Sequence, residues 1–437
     1  MITRIEAYRY RCFQRLDVVL DEYQVLVGAN GSGKTTLLDI PVLLGDMLMT
    51  RNVQDALLRP VLPYRKRSRA TSAGEVIHFH RGSDFILAIE AKLPDEIVPQ
   101  LVGKLASSRE GKKVRESTTR WPERVRYEVL LEVFSGALSI AHEFLFILPK
   151  SDDYSSGMSG PLMGQWALPD KSAVIPVIRR PKGEPAEFYP EQKHRRNWKT
   201  PFSFRLQPTE LALSSLPSDR EKFGAAHWLR ELLIEQTCPY QFDLVAMHEA
   251  KVPSGKNPKL AADGTMLPWL VIELAEDRAA CEEWTESIRL ALPSIQMIEG
   301  RVREDDGFAY LKLTYEHGLT VLSSGLSDGT LAILGLTILP YLKNPPRLVI
   351  VEEPEDSLHP RAIETVLESL SSVRNSQVLV SSHSPVVVAH TELDDLLCLR
   401  QSPGEGSSVT PGRRHPGLAT WKGQPGLATL FSAGVLG

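Results

Sequence analysis

Apolar residues along the 437-residue chain change their spacing from place to place, and these changes predict where strands and helices lie. Residues 22–27 (EYQVLV) alternate like a strand, whereas residues 35–48 (TTLLDIPVLLGDML) carry apolar side chains at helical spacing. Residues 347–351 (RLVIV) and 377–380 (QVLV) are continuous apolar runs, as in strands that are buried on both faces of a parallel sheet. The pattern therefore predicts an α/β core.

A glycine-rich loop, G-x-x-x-x-G-K-T from Gly28 to Thr35, joins the first predicted strand to the first predicted helix. Glycines allow successive backbone N–H groups to point into one concavity, where they surround phosphate oxygens. The N-terminus of the helix adds partial positive charge beneath the phosphates. In such a loop Lys34 reaches the β- and γ-phosphates, and the Thr35 hydroxyl binds Mg²⁺. The loop predicts an ATP site.

Polar side chains follow the two apolar runs near the C-terminus. Glu352 and Glu353 end the first run, and His383 ends the second. Ligands bind at the carboxyl ends of parallel strands, so these side chains are expected beside the nucleotide. There Glu352 holds Mg²⁺ through its waters, Glu353 accepts a proton from the attacking water, and His383 hydrogen-bonds the γ-phosphate or that water. Upstream, residues 327–329 (SDG) are expected to cap a helix and offer its N–H groups to an anion.

These motifs, in this order, resemble those of the ABC-type ATPases of the RecF/SMC/OLD superfamily, in particular their compact stand-alone AAA_21 relatives. Residues 10–13 (YRCF) correspond to the opening segment, 326–336 (LSDGTLAILGL) to the signature, 352–360 (EEPEDSLHP) to Walker B and the D-loop, and 381–385 (SSHSP) to the histidine switch. The resemblance implies a P-loop ATPase head with ATP and Mg²⁺ as ligands. It assigns these residues to ATP: Arg11, Gly28, Asn30, Gly31, Ser32, Gly33, Lys34, Thr35, Thr36, Ser327, Asp328 and Gly329.

The sequence departs from the family pattern at three positions. Glu352 stands where most relatives have aspartate, and the extra methylene alters the Mg²⁺ geometry, so slow hydrolysis is expected. Ala332 replaces an arginine that often follows the signature, and His359 occupies the D-loop position that is aspartate in transporter ATPases. A histidine there is usual in OLD-like proteins.

The middle of the chain contains short strand-like runs rather than long heptads. These runs, at 75–80, 84–93, 126–134 and 137–148, look like the antiparallel sheet that flanks the nucleotide core in this family. Helices are expected near 218–236 and 277–292. Basic clusters also recur, and the following residues are candidates for contact with DNA or RNA: Arg179, Arg180, Lys193, Arg195, Arg196 and Lys199. Solvated loops without a ligand explain such clusters equally well.

Charge and composition narrow the class of protein. The net charge is −4, but residues 51–210 contain 26 lysines and arginines against 19 aspartates and glutamates, a net charge of +7 that weakly favours an anionic partner. The four cysteines form no C-x-x-C pair, which suits a reducing compartment. No apolar run reaches the roughly 18 residues of a membrane helix. We therefore expect a cytoplasmic protein with no membrane contact.

The predicted organisation has four parts. Residues 1–50 form an N-terminal lobe with Walker A, 51–300 an insertion of antiparallel sheet plus helical and basic segments, 301–400 a C-terminal lobe with the remaining motifs, and 401–437 a loop-rich tail. The tail either docks a partner or is a flexible end without a role. The 54 residues beyond His383 are too few for a TOPRIM nuclease domain, so the chain is expected to cut nothing by itself.

The leading hypothesis is an ATPase whose two copies sandwich ATP and act as the switch of a nucleic-acid-related system. The resemblance implies bacterial anti-phage defence or DNA repair, with a separately encoded nuclease as effector. The alternative is an ATP-bound scaffold or sensor that hydrolyses little and holds a toxic effector inactive. A transporter ATPase subunit fits poorly, because the insertion is too large and the signature is not of the transporter type.

Overall fold

The computed structural model describes residues 1–61, 67–105, 121–150, 174–191, 201–252, 258–418, 421, 423 and 426–436. The chain forms two compact units. The first unit comprises residues 1–20, 36–236 and 402–408, and the second unit comprises residues 21–35, 237–401 and 409–437. Each is described by itself below.

Strands and helices alternate irregularly along the chain. The strands are β1 Ile2–Tyr10, β2 Phe13–Val19, β3 Tyr23–Val27, β4 Asp84–Lys92, β5 Pro122–Phe134, β6 Ala137–Pro149, β7 Ile175–Arg180, β8 Ala186–Phe188, β9 Phe202–Phe204, β10 Thr237–Pro239, β11 Ile295–Val302, β12 Ala309–Tyr315, β13 Thr320–Leu322, β14 Leu348–Glu352, β15 Gln377–Ser382, β16 Leu396–Ser402 and β17 Gly406–Pro411. The α-helices are α1 Lys34–Thr50, α2 Val53–Leu58, α3 Ile97–Leu105, α4 Gly224–Ile234, α5 Leu244–Met247, α6 Leu267–Leu274, α7 Arg278–Ala291, α8 Asp328–Thr337, α9 Pro360–Ser371, α10 Pro385–Ala389 and α11 Leu427–Ser432.

The second unit is built on a sheet of order β10-β14-β15-β3-β16-β17. The pairs β10–β14, β14–β15, β15–β3 and β3–β16 are parallel. Side chains such as Val25, Val349 and Val378 are buried in its core, as expected for strands that are covered on both faces. The predicted α/β fold with a parallel sheet is confirmed, and β3, β14 and β15 bring the motifs of both chain ends to one sheet.

The first unit is built on an antiparallel sheet of order β2-β1-β4-β5-β6-β7-β8-β9. It includes the predicted runs at 84–93, 126–134 and 137–148 as β4, β5 and β6. One guanidinium in its interior, that of Arg126, lies 2.8 Å from Glu6, 2.7 Å from Glu90 and 2.5 Å from Glu128. All four of these side chains are buried, and Arg4 and Arg124 also pair with Glu6 and Glu90, so three arginines offset the buried carboxylates.

The prediction of a strand at 75–80 is wrong. The segment forms two 3₁₀ turns, Ala73–Val76 and His78–His80. Phe79 and His80 adopt positive φ angles of 49° and 54°, which an extended strand does not allow. Ile77 makes only an isolated bridge with Tyr10, so the apolar residues of this segment lie in turns and not in a strand.

The structure divides the chain differently from the four predicted parts. β10 pairs in parallel with β14, so the chain returns to the second unit at residue 237 rather than at residue 301. The predicted helices near 218–236 and 277–292 are confirmed as α4 and α7. The region before the signature adds a separate sheet of order β11-β12-β13.

The C-terminal segment is more ordered than the predicted loop-rich tail. It contains β17 and α11, and Leu418 and Leu436 are buried in the core of the second unit. Partly buried apolar side chains pack on the same core, namely Trp421, Leu427, Leu430 and Phe431. The described part of the tail from residue 409 onward is therefore an integral part of this unit. Among the described residues, no helix combines the length and the apolar character needed to cross a membrane.

Candidate nucleotide-binding site

The glycine loop between β3 and α1 has the backbone that the sequence predicts. Gly31 and Gly33 have φ angles of 81° and 105°, which side-chain-bearing residues rarely adopt. A Cβ at Gly28 would lie 2.3 Å from the carbonyl oxygen of Leu399, so only glycine fits there. These constraints hold the loop in a tight turn at the carboxyl end of β3.

Lys34 folds back over the loop. Its Nζ donates to the carbonyl oxygen of Gly28 at 2.8 Å and to that of Ala29 at 3.3 Å. Burial lowers the pKa of Lys34, while the carboxylates of Glu353, Glu355 and Glu352 act in the opposite direction. The ammonium thus lies near three carboxylates and donates its hydrogen bonds to carbonyl groups of the loop.

The two residues predicted to hold Mg²⁺ are in direct contact. Thr35 Oγ1 donates to Glu352 Oε2 at 2.5 Å, joining the start of α1 to the end of β14. Hydroxyl and carboxylate oxygens are the hard ligands that Mg²⁺ prefers. The residues present therefore fit a magnesium ion between loop and strand.

Glu353 and His383 are also in direct contact. His383 Nδ1 lies 2.6 Å from Glu353 Oε2, and the backbone N–H of His383 donates to the same oxygen at 3.1 Å. Lys34 Nζ is 4.0 Å from the other oxygen of Glu353. Glu353 has a φ of 47°, a strained conformation for a non-glycine residue, and such strain concentrates at functional sites.

Glu355 is a member of the site to which the sequence assigned no separate role. It accepts a hydrogen bond from Ser382 Oγ, and one atom each of Glu353, Glu355 and His383 lie within 4.8 Å of one another, close enough to hold a metal ion. Burial, followed by the neighbouring Glu353, raises the pKa of Glu355 to about 7. A glutamate two positions after the Glu-Glu pair was the signal in the sequence.

The predicted signature begins a helix as expected. Ser327 is the N-cap of α8, and its Oγ accepts from the N–H of Thr330 at 3.2 Å. A Cβ at Gly329 would lie 2.6 Å from the carbonyl oxygen of Ser357 in the D-loop, so the absence of a side chain permits this close approach. His359 caps α9, with its ring nitrogen accepting from the N–H of Arg361 at 3.3 Å.

Comparisons with known proteins agree with this geometry. Residues 255–389 match a family model described as an AAA domain, putative AbiEii toxin, type IV TA system. A solved structure of an Smc head bound to the C-terminal winged-helix domain of ScpA has 12% sequence identity and a TM-score of 0.50, covering 94% of this chain and 96% of that chain. The fold is therefore that of the SMC heads, which are ABC-type P-loop ATPase domains.

Two other similar structures are SMC heads. One is an Smc head domain with an extended coiled coil, bound to the C-terminal domain of ScpA derived from Pyrococcus furiosus. It is 12% identical, the match covers 94% of this chain and 95% of that chain, and the TM-score is 0.43. The other, from Thermotoga maritima, is 10% identical, covers 94% and 98%, and has a TM-score of 0.38. A search of curated proteins found no match.

The remaining predicted ATP contacts differ in their surroundings. Ser32 is buried, and its Oγ has no hydrogen-bond partner among the residues that the structure describes, as expected of a hydroxyl that faces a phosphate. Asn30 is exposed, and Thr36 lies in the first turn of α1. Arg11 lies in the first unit, where it donates to the carbonyl oxygen of Arg69 at 2.9 Å. Its contact with ATP stays a prediction.

The predicted nucleic-acid contacts are supported least. Arg180 is buried and donates to the carbonyl oxygens of Gln207 and Glu210, so a phosphate has no access to it and this assignment is revised. Arg179 pairs with Glu187 on the neighbouring strand β8 and with Glu184 in the connection between β7 and β8. The other four candidates lie outside the described residues, namely Lys193, Arg195, Arg196 and Lys199.

Proposed function

We propose that this chain binds and hydrolyses ATP with Mg²⁺, and that the nucleotide controls the association of two copies. The observation that carries the proposal is the meeting of the ends of β3, β14 and β15, which brings Lys34, Thr35, Glu352, Glu353 and His383 together in the second unit. A phosphate-binding loop, two hard-oxygen ligands and a carboxylate held by a histidine are the parts that phosphoryl transfer to water requires.

The chemistry follows from these contacts. Lys34 and the loop N–H groups bind the phosphates, and Thr35 and Glu352 would hold Mg²⁺, which neutralises charge on the phosphates. Glu353 accepts a proton from water at its carboxylate, since His383 fixes that group through Nδ1 at 2.6 Å. Nδ1 carries the hydrogen in this contact, because the carboxylate accepts.

Dimerisation is the expected output of nucleotide binding. Ser327 and Asp328 are exposed at the N-terminus of α8, where backbone N–H groups and the helix dipole favour an anion. We propose that Ser327 and Gly329 of one copy contact the γ-phosphate held by the other, so that ATP joins the two.

The proposal also covers the biological context of the ATPase. We propose a cytoplasmic switch in anti-phage defence or DNA repair that controls a separately encoded nuclease and contacts DNA or RNA. The description of the matching family, which names a putative toxin of a type IV toxin–antitoxin system, is consistent with an effector relationship. The alternative is a nucleotide-bound scaffold with little hydrolysis, which Glu352 in place of aspartate favours.

Equilibrium ATP binding and steady-state phosphate release separate these readings. Lys34→Ala should abolish ATP binding, because the γ-phosphate loses its cation in the loop. Lys343→Ala, which removes an exposed lysine paired with Glu276 at 2.7 Å, is the matched control and should bind normally. Unchanged affinity in Lys34→Ala would refute the site. If the wild-type protein binds ATP tightly but releases phosphate no faster than Glu353→Gln, the scaffold hypothesis is favoured.

A further inference from the structure

His248 joins the two ends of the loop that precedes the signature helix. It follows α5, and its Nδ1 lies 3.0 Å from the carbonyl oxygen of Ser323. Its Nε2 lies 2.9 Å from Oδ1 of Asp328, the first residue of α8. The two acceptors are five positions apart in the chain, and the imidazole spans them.

Both contacts require a proton on the ring. A carbonyl oxygen and a carboxylate oxygen only accept, so each facing nitrogen must donate. Neutral imidazole carries one N–H and satisfies one of the two acceptors, whereas the imidazolium carries both. The observed geometry is therefore that of a doubly protonated His248, and removing a proton leaves two lone pairs facing each other in one contact.

The loop between these acceptors is fixed at its base and exposed at its tip. Ser323 Oγ accepts from the N–H of Leu311 at 2.7 Å, and Leu326 packs into the core. Ser324 and Gly325 are exposed, as is Ser327, the residue that we assign to the phosphate of a second copy. A pair of hydrogen bonds across the loop therefore limits the mobility of Ser327.

We propose that His248 is a positioning residue for the signature. While its ring carries both protons, it holds Ser323 and Asp328 together. When the ring loses a proton, one of these two hydrogen bonds breaks. This inference rests on the proposed function only where it concerns ATP turnover. The clamp itself is a property of the second unit.

The charges around His248 favour the protonated ring. Asp328 is the acid in contact with it, while Glu249 and Lys251 on its own segment lie 3.9 Å from each other. On the neighbouring sheet Lys312 pairs with Glu299 at 3.3 Å. The hydrogen bond to Asp328, then that to Ser323, raises the pKa of His248. The clamp is thus complete at low pH and is lost as pH rises through this raised pKa.

Nitrogen NMR on the full chain with ¹⁵N-labelled histidine tests the clamp without nucleotide, with His248→Gln identifying the signals. Both ring nitrogens should be protonated at pH 6, and Asp328→Asn should lower the titration midpoint by about one pH unit. Hydrogen–deuterium exchange of residues 322–330, corrected for the intrinsic pH dependence, should rise several-fold above the midpoint. A ring with one bare nitrogen at pH 6 overturns the proposal.

The pH profile of ATP turnover tests the consequence. The ratio of wild-type turnover to that of His248→Gln should fall toward one as pH rises through the NMR midpoint. His317→Gln, an exposed histidine between β12 and β13, is the matched control and should give a constant ratio. A constant ratio for His248→Gln overturns the link to the signature. If no variant turns over ATP, the proposed function fails, whereas the NMR and exchange results still decide the clamp.

Discussion

Substituting Glu355 with glutamine should make the folded protein more stable above neutral pH. Glu355 is packed against Glu353 and receives a hydrogen bond from Ser382, and burial together with Glu353 raises its pKa from 4.5 to about 7. One of its oxygens is buried without a hydrogen-bond partner among the described residues. A neutral amide of the same shape avoids placing a second negative charge beside Glu353.

The sign and size follow from proton linkage. A carboxyl whose pKa is raised on folding binds more protons when folded, so its stabilising effect is complete below pH 4.5 and is lost as pH rises through about 7. A shift of about 2.5 units corresponds to at most ~3.4 kcal/mol. Since Glu355 is partly exposed, solvent screening reduces this, and we expect about 1–2 kcal/mol in favour of Glu355→Gln at pH 8.

Urea unfolding of nucleotide-free, metal-free protein at pH 5 and pH 8 measures this difference. The advantage of Glu355→Gln over wild type should appear between these two values. Glu405→Gln, at an exposed position in the turn before β17, is the control and should change little with pH. An advantage that is equal at both pH values would refute the raised pKa of Glu355.

Three further predictions address the base, the sheet and the basic segment. Glu353→Gln should retain ATP binding, slow phosphate release by about 10²–10⁴-fold and accumulate ATP-bound dimers in size-exclusion chromatography; unchanged turnover would assign the water to another group. Arg126→Met should lower the free energy of unfolding by about 3–5 kcal/mol in urea melts, because three buried carboxylates lose the cation that they share; a loss below 1 kcal/mol would contradict this. Reversing Arg195, Arg196 and Lys199 should reduce the log–log salt slope of nucleic-acid binding by roughly 0.7–0.9 per lost contact, and an unaltered slope would indicate a solvated loop.

Much of the core was predictable because its signals are local and ordered. Apolar runs that end in carboxylate or histidine predicted β14 and β15, and carboxyl ends of parallel strands share one edge of a sheet. That single rule places Thr35 beside Glu352, although they are 317 positions apart in the chain. The three long antiparallel strands β4, β5 and β6 followed from strand-like runs together with the family resemblance.

The sequence was least informative where tertiary contacts override the local pattern. The run at 75–80 looks like a strand, yet the chain turns there at positive φ and His78 bonds the carbonyl oxygen of Arg11 instead of a neighbouring strand. Arg180 looked like an exposed cation, but its guanidinium serves backbone carbonyls. The hydrogen-bond partners of His78 and Arg180 are distant in sequence, so the local sequence around either residue does not reveal these contacts.

The orientation of the proposed base shows why the motif alone does not make the site. Glu353 follows β14 with a φ of 47°, which costs of order 1 kcal/mol for a residue with a side chain. Its N–H donates to the carbonyl oxygen of Ser381, and its carboxylate is held by His383, so both supports come from β15 and the turn after it. The local sequence of Walker B therefore supplies the carboxylate. Hydrogen bonds to the neighbouring parallel strand and the turn after it stabilise the strained backbone of Glu353 and fix the orientation of its side chain. A proton acceptor fixed in this way loses its direction when β15 shifts, even if every residue of Walker B is retained.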